Sequence, residues 1–501
     1  MSSLLALQFG IASAGPPSLF WVWPFLAILL SIAIFPLLHR THEWWERNRN
    51  KLLISLILAA ATLFYYACRG YGVEVHGEGG KPTQVAHAGD ELSSAPAVHE
   101  QQPGDAHAQK HYSRPGSQTV LAVLEHAVLK EYVPFMVLLF SLFVIAGGIV
   151  VRGDIRATPL ANMTIIGIGG LLASFIGTTG ASMLLIRLLL KTNAERKHVV
   201  HTVIFFIFIV SNIGGTLLPI GDPPLFLGYL RGVEFFWTLT LWKQWAFMLV
   251  ILLAVYYAWD RWAFKREKPA DVLFDRVHIQ PIRVAGLINF LWLLGVVVAV
   301  ATLDPAKPFP GTDWHAKEYM REGVQLAMVV LSLLTTRKVL RVENKFNYIA
   351  IGEVACLFIG IFITMQVPIE ILHAAGPKMA AADFAHPWQF FWATGVLSSF
   401  LDNAPTYVVF FETAGSLPVS ETGTLTLLGG GQLSVALLTA ISCGAVFMGA
   451  NSYIGNGPNF MVKTIAEQSG IKMPSFFGYM FFSLLILGPL FVILTLVFFR
   501  G

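Results

Sequence analysis

Three segments, 18–38, 236–259 and 476–499, run for about twenty residues almost without a charged side chain. A helix of about 20 apolar residues matches the hydrocarbon thickness of a bilayer, and in that medium the backbone must satisfy its own hydrogen bonds. The chain is therefore expected to be an all-α polytopic membrane protein. Its charged fraction agrees: 13% of 501 residues, against roughly 25% in soluble globular proteins. That deficit excludes a soluble enzyme with an ordinary surface. The net charge of +4 is ordinary for basic membrane loops and points to no nucleic acid.

Apolar runs divided by polar residues predict about ten spanning helices, near 18–38, 51–68, 132–151, 198–231, 235–259, 284–303, 322–336, 347–366, 432–468 and 475–499. Two further stretches, about 160–190 and 389–416, are broken in the middle by Gly177-Thr178-Thr179-Gly180 and Asp402-Asn403-Ala404-Pro405. Such clusters start turns, so both stretches read as re-entrant hairpins. Basic residues gather in alternate loops, among them Arg47, Arg152, Lys197, Arg266, Arg341 and Lys463. The positive-inside rule then places both termini outside, opens the first hairpin to the cytoplasm and the second to the exterior.

Along the chain this gives two N-terminal helices (1–68), an external polar loop (69–118), a first repeat (130–260), a linker with two helices (261–346) and a second repeat (347–501). The loop holds His76, His87, His99, His107 and His111. It lacks regular ligand spacing and a cysteine cluster, so it reads as a solvated loop in preference to a metal site. Cys68, Cys356 and Cys443 are far apart and read as small buried hydrophobes. Ala12-Ser13-Ala14 could mimic a cleavage site, but no Lys or Arg precedes it, so the N-terminus is taken as mature chain.

An internal repeat carries more information. Ile220-Gly221-Asp222-Pro223-Pro224-Leu225-Phe226-Leu227 aligns without gaps on Ile454-Gly455-Asn456-Gly457-Pro458-Asn459-Phe460-Met461, and Ser174-Phe175-Ile176-Gly177-Thr178 on Ser399-Phe400-Leu401-Asp402-Asn403. Each half reads helix, hairpin, broken helix, helix, and the charge-based topology runs the halves in opposite directions. Inverted repeats with broken helices are a transporter architecture, because unwound backbone survives at membrane depth only inside protein or beside a watery cavity. Proline-kinked structural helices would explain one break but not four in matching places.

The breaks offer oxygen ligands: Thr178, Thr179, Ser182, Ser211, Asn212, Thr216, Asn403, Thr406, Asn451, Ser452 and Asn456. These suit a hard cation or an oxyanion equally. Asp222 and Asp402 also lie in the breaks, with no Lys or Arg in 174–186, 198–230, 398–416 or 432–462. Two acids without a base favour a cation, Na⁺ or H⁺. If each hairpin tip meets the broken helix of its own half, each pseudosymmetric site receives one carboxylate. Capping of the helices that follow is the structural alternative for both acids. Glu353, Glu412, His126 and His201 read as structural or interfacial groups. No nucleotide or Walker motif is present, and no cofactor or catalysis is expected.

Ser211-Asn212-Ile213-Gly214-Gly215-Thr216 followed by Pro219-Ile220-Gly221-Asp222-Pro223-Pro224 resembles the signature of the ion transporter superfamily. It is closest to NhaD-type sodium/proton antiporters and ArsB-type arsenite permeases. Asp402-Asn403-Ala404-Pro405 and Gly449 to Asn459 resemble their second-half hairpin and crossover. The chain is also similar to sequences grouped as citrate transporters, and the wider superfamily includes dicarboxylate carriers. The resemblance covers about 130–500 and implies sites shared by hairpin tips and broken helices, a homodimer, and residence in a bacterial-type inner membrane. The matching positions of Asp402 and Asp222 are Gly177 and Asn456, which departs from a symmetric pair of acidic sites. The leading expectation is exchange of Na⁺ or Li⁺ for H⁺ at Asp222 and Asp402. Na⁺- or H⁺-coupled transport of citrate or a related carboxylate is the alternative, and a non-transporting membrane scaffold the third reading.

Overall fold

The computed structural model describes residues 17–36, 38–75, 111–277, 279–381, 384–418, 423–427 and 431–500. Ala12-Ser13-Ala14 and the loop histidines up to His107 lie outside the described residues. The described residues are predominantly helical, and among them six helices are long and apolar enough to cross a membrane: Asn48–Cys68, Ser117–Ala146, Pro159–Ile176, Phe235–Phe264, Ile349–Ala375 and Phe476–Phe498. Four shorter apolar helices, Leu19–Ile34, Val200–Thr216, Ile288–Thr302 and Val435–Asn451, stand with them.

Several boundaries differ from the sequence reading. The span expected near 132–151 begins at Ser117 and passes through a π-helical segment, Glu125–Tyr132. The charges Glu125, Lys130 and Glu131 hid this stretch, but Glu131 is buried against Arg231. Among the described residues three short antiparallel strand pairs also occur, including Val150–Asp154 with Gln280–Ala285. Cys68 is exposed at its helix end, not buried.

The ends of the hairpins establish the inversion. Asn162 and Asn193, near the two ends of the first hairpin, exchange amide hydrogen bonds of 2.8 Å. Both touch the buried Arg196–Asp260 pair (2.5 Å), which also holds His201 at the start of the first broken helix. At the far end of that broken helix Arg231 bonds Glu412, near the end of the second hairpin, at 2.8 Å. The two hairpins therefore enter from opposite ends of one broken helix.

Ion pairs tie elements together at both ends of the bundle. Lys51–Glu353 (2.6 Å) and Arg152–Glu343 (2.6 Å) join residues of the basic face, whereas Arg231–Glu131 and Arg69–Glu370 (2.7 Å) lie on the opposite face. Glu353 thus serves the basic face, away from the breaks. The N-terminal helices are tied in by close packing: a Cβ on Gly360 would come within 2.6 Å of Ile28 Cδ1 and 2.7 Å of Ser55 Cβ. Small residues permit this approach where lipid provides no hydrophobic drive for helix association.

Candidate functional site

The first hairpin comprises Pro159–Ile176 and Thr178–Thr192, and the second Pro387–Phe400 and Asn403–Gly415. The first broken helix unwinds after Val200–Ile209, makes one 3₁₀ turn at Ile213–Thr216 and resumes at Pro223–Leu230. The second runs Val435–Met448, turns at Gly449–Asn451 and resumes at Gly457–Gln468.

Matched hydrogen bonds join hairpin to broken helix in the two halves. Thr178 N donates to Gly221 O (2.8 Å) and Asn403 N to Gly455 O (3.2 Å). Ser174 Oγ donates to Gly214 O (2.5 Å) and Ser399 Oγ to Met448 O (3.2 Å). Each bond satisfies a carbonyl freed by the break, which unpaired in a dry interior would cost about 1–3 kcal/mol. Gly221 lets these backbones close on one another, because a Cβ there would lie 2.3 Å from Gly215 O within the broken helix and 3.0 Å from Ser174 Cα of the hairpin.

Asp222 occupies the crossing point and is 1% exposed. Its Oδ1 accepts from Thr178 Oγ1 (2.9 Å) and Asn456 Nδ2 (3.0 Å), and its Oδ2 from Asn403 Nδ2 (2.6 Å). Among the described residues no ion pair involves Asp222 or Asp402. Asn456 also donates to Ser211 O (3.0 Å) and Asn212 Oδ1 (3.3 Å). Asn212 donates to Asn459 Oδ1 (2.7 Å), and Asn459 holds Gly449 O and Ser452 O. One buried carboxylate thus sits in a web of neutral donors drawn from both halves.

The hairpin tips meet the broken helices of their own halves, yet two of the three donors to Asp222 come from the second half. The Asp222 side chain does not cap the following helix, the structural alternative: Pro224 at the second helical position has no N–H, and Leu225 N is taken by the Asp222 carbonyl. Asp402 behaves differently. It is half-buried and caps its helix through Ala404 N (3.1 Å), with no bond to the second broken helix among the described contacts.

The tips also differ in backbone. Gly177 has φ 78°, in the region that favours glycine, whereas Asp402 has φ −59°. The two positions align in sequence, but only the second turn accommodates a side chain without strain.

The remaining candidates divide. Ser182 and Ser211 pair at 2.9 Å beside the web. Thr216 bonds Ile213 O, Thr406 bonds Asp402 O, and Ser452 Oγ accepts from Ile454 N and Gly455 N, so these three shape turns. Asn451 donates to Ser399 Oγ (2.9 Å). Thr179 is half-buried beside Thr178 and makes no described bond to Asp222. Away from the web, Glu412 pairs with Arg231 and His373, and His201 with Asp260. His126 is exposed.

Sequence reasoning passed over Asn459, Ser174 and Ser399. The serines stand in the aligned blocks, and Asn459 follows Asn456 by one helical turn, a spacing that could have revealed it. It was missed because its counterpart is the apolar Leu225.

Two further properties bear on ligand chemistry. Asn403 Oδ1 and Asn451 Oδ1 are buried acceptors without a hydrogen-bond partner. Four helices also begin here, at Thr178, Pro223, Asn403 and Gly457. Their N-terminal ends carry partial positive charge, which attracts anions without any Lys or Arg. The cluster is not sealed: Gly457 is exposed, a Cβ there would meet nothing within 4 Å, and Thr179, Pro223 and Asp402 are half-buried.

No curated protein matches the chain significantly. A family model described as "Putative citrate transport" matches residues 16–77 and 108–499. A match of that extent, over a helical membrane fold whose hairpins and broken helices meet at a buried carboxylate, assigns the chain to this citrate-transport family.

Proposed function

We propose that the protein is a secondary transporter that moves citrate or a related carboxylate, coupled to Na⁺ or H⁺. The observation that carries this reading is the meeting of four helix N-termini beside one buried carboxylate. In this reading Asp222, with the acceptor Oδ1 of Asn403, holds the coupling cation in the closed part of the site. The substrate carboxylate approaches through the opening at Gly457, Thr179 and Asp402, where helix dipoles supply the positive potential. A cation on Asp222 removes the negative charge that would repel an anionic substrate. Binding of one ligand therefore favours the other, which is the thermodynamic content of coupling. The absence of Lys and Arg, read in the sequence as favouring a cation, loses weight once four dipoles point at the cluster.

Exchange of Na⁺ or Li⁺ for H⁺ remains the second reading, favoured by the isolation of Asp222 from any basic partner. A pH-sensitive dye in proteoliposomes separates the two. Coupled carboxylate transport requires that Na⁺ alone leave an imposed proton gradient standing. Dissipation by Na⁺ without citrate would transfer the assignment to the antiporter. In either case the proposed membrane is a bacterial-type inner membrane, with the basic face cytoplasmic and both termini outside.

A further inference from the structure

On the basic face, between the start of the first broken helix and the helices Trp242–Phe264 and Phe476–Phe498, lies a cavity of about 220 Å³ that the transport site does not use. Lys197, His198 and Arg266 stand at its polar side, and Trp259, Trp262 and Phe482 form much of its apolar side. Among the described residues no Asp or Glu lines it.

Two of the nearby acids, Asp260 and Glu267, are already engaged. Asp260 is held by Arg196 and His201, and Glu267 accepts from Lys197 N (3.0 Å) and His198 N (2.8 Å). The Arg266 guanidinium lies 3.5 Å over the Trp262 ring, an arrangement that fixes the cation while leaving its edge open to an anion. The side chains of Lys197 and Arg266 are exposed.

The position of these cations matters as much as their charge. Trp259 and Trp262 lie where the apolar part of their helix gives way to Arg261, Lys265 and Arg266, as aromatic residues do at a headgroup boundary. Beyond the cavity, Phe481, Leu484 and Leu485 are 67%, 56% and 60% exposed, an apolar flank continuous with the acyl region. A soluble anion would use only the cations. A phospholipid would use both the cations and the flank.

We infer that this cavity binds the phosphodiester headgroup of an anionic phospholipid, with Lys197 and Arg266 on the phosphate and the acyl chains along the exposed face of Phe476–Phe498. A cation near the membrane surface contributes about a factor of five in affinity for anionic lipid, so two give about thirtyfold.

The test uses delipidated full-length protein in detergent, with lipid retention read by native mass spectrometry and unfolding temperature read in parallel. Phosphatidylglycerol is expected to be retained about thirtyfold more strongly than phosphatidylcholine by the unmodified protein. The double variant Lys197→Ala/Arg266→Ala should lose that excess while still retaining phosphatidylcholine. Equal retention of the two lipids by the unmodified protein overturns the proposal without recourse to any variant. So does an undiminished excess in the double variant. If millimolar inorganic phosphate raises the unfolding temperature as much as phosphatidylglycerol does, the site is one for free anions and the lipid assignment fails.

Discussion

Replacing Asp222 by asparagine separates charge from shape at the centre of the site. The carboxylate accepts three hydrogen bonds, two at Oδ1 and one at Oδ2. An asparagine with its oxygen toward Thr178 and Asn456 keeps the first two and turns an N–H₂ toward Asn403. Asn403 can answer by rotating its own amide, because its Oδ1 has no other partner. The variant should therefore fold, with an unfolding temperature within a few degrees of the unmodified protein. What it loses is one unit of charge. At about 4 Å and an effective dielectric of about 20, that charge is worth about 4 kcal/mol to a bound cation, or nearly three orders of magnitude in affinity. The assay is the rise of unfolding temperature with Na⁺ concentration, with Li⁺ and pH varied in parallel. The midpoint for the coupling ion should move about a thousandfold in Asp222→Asn. A midpoint within threefold of the unmodified protein would refute the placement of the cation at Asp222.

Other perturbations test neighbouring parts of the account. Arg231→Met strands the largely buried Glu131 and Glu412 without their shared cation and should destabilise by about 3–5 kcal/mol. Adding Glu131→Gln should recover part of that in thermal unfolding, and no recovery would deny that the pairing matters. Gly457→Leu places bulk in the opening, where a Cβ meets no atom within 4 Å. Substrate flux should fall at least tenfold with the unfolding temperature unchanged; normal flux would show that the substrate enters elsewhere. Asp402→Asn keeps a capping side chain at the second tip, so any loss of transport there reports its charge, and a drop in stability of more than about 1 kcal/mol would contradict that reading.

Much of the fold was legible because membrane burial leaves a coarse signal: apolar length gives the spans, and Gly, Pro and Asp interrupt them. The repeat was legible for a related reason. Gly221 and Gly455 must admit a neighbouring backbone, so the same residue type recurs in both halves. The π-helical segment at Glu125–Tyr132 escaped because Glu131 is neutralised by Arg231, far away in sequence, while Glu125 and Lys130 stay exposed on the same helix. At the site, the choice of Asp222 was readable from the missing bases around it. Its partners in the other half were not, since no local pattern says which hairpin tip will reach which break. The breaks marked where half-helices end, but the directions of the four helices were not readable, and those directions bear on whether the site also attracts an anion.

Uptake of radiolabelled citrate into proteoliposomes, driven by an imposed inward Na⁺ or H⁺ gradient, tests the central claim most directly. Accumulation above the equilibrium level that collapses with the ion gradient, and is absent in Asp222→Asn, is the predicted result. Gradient-independent equilibration, or concentrative uptake undiminished in Asp222→Asn, would contradict it.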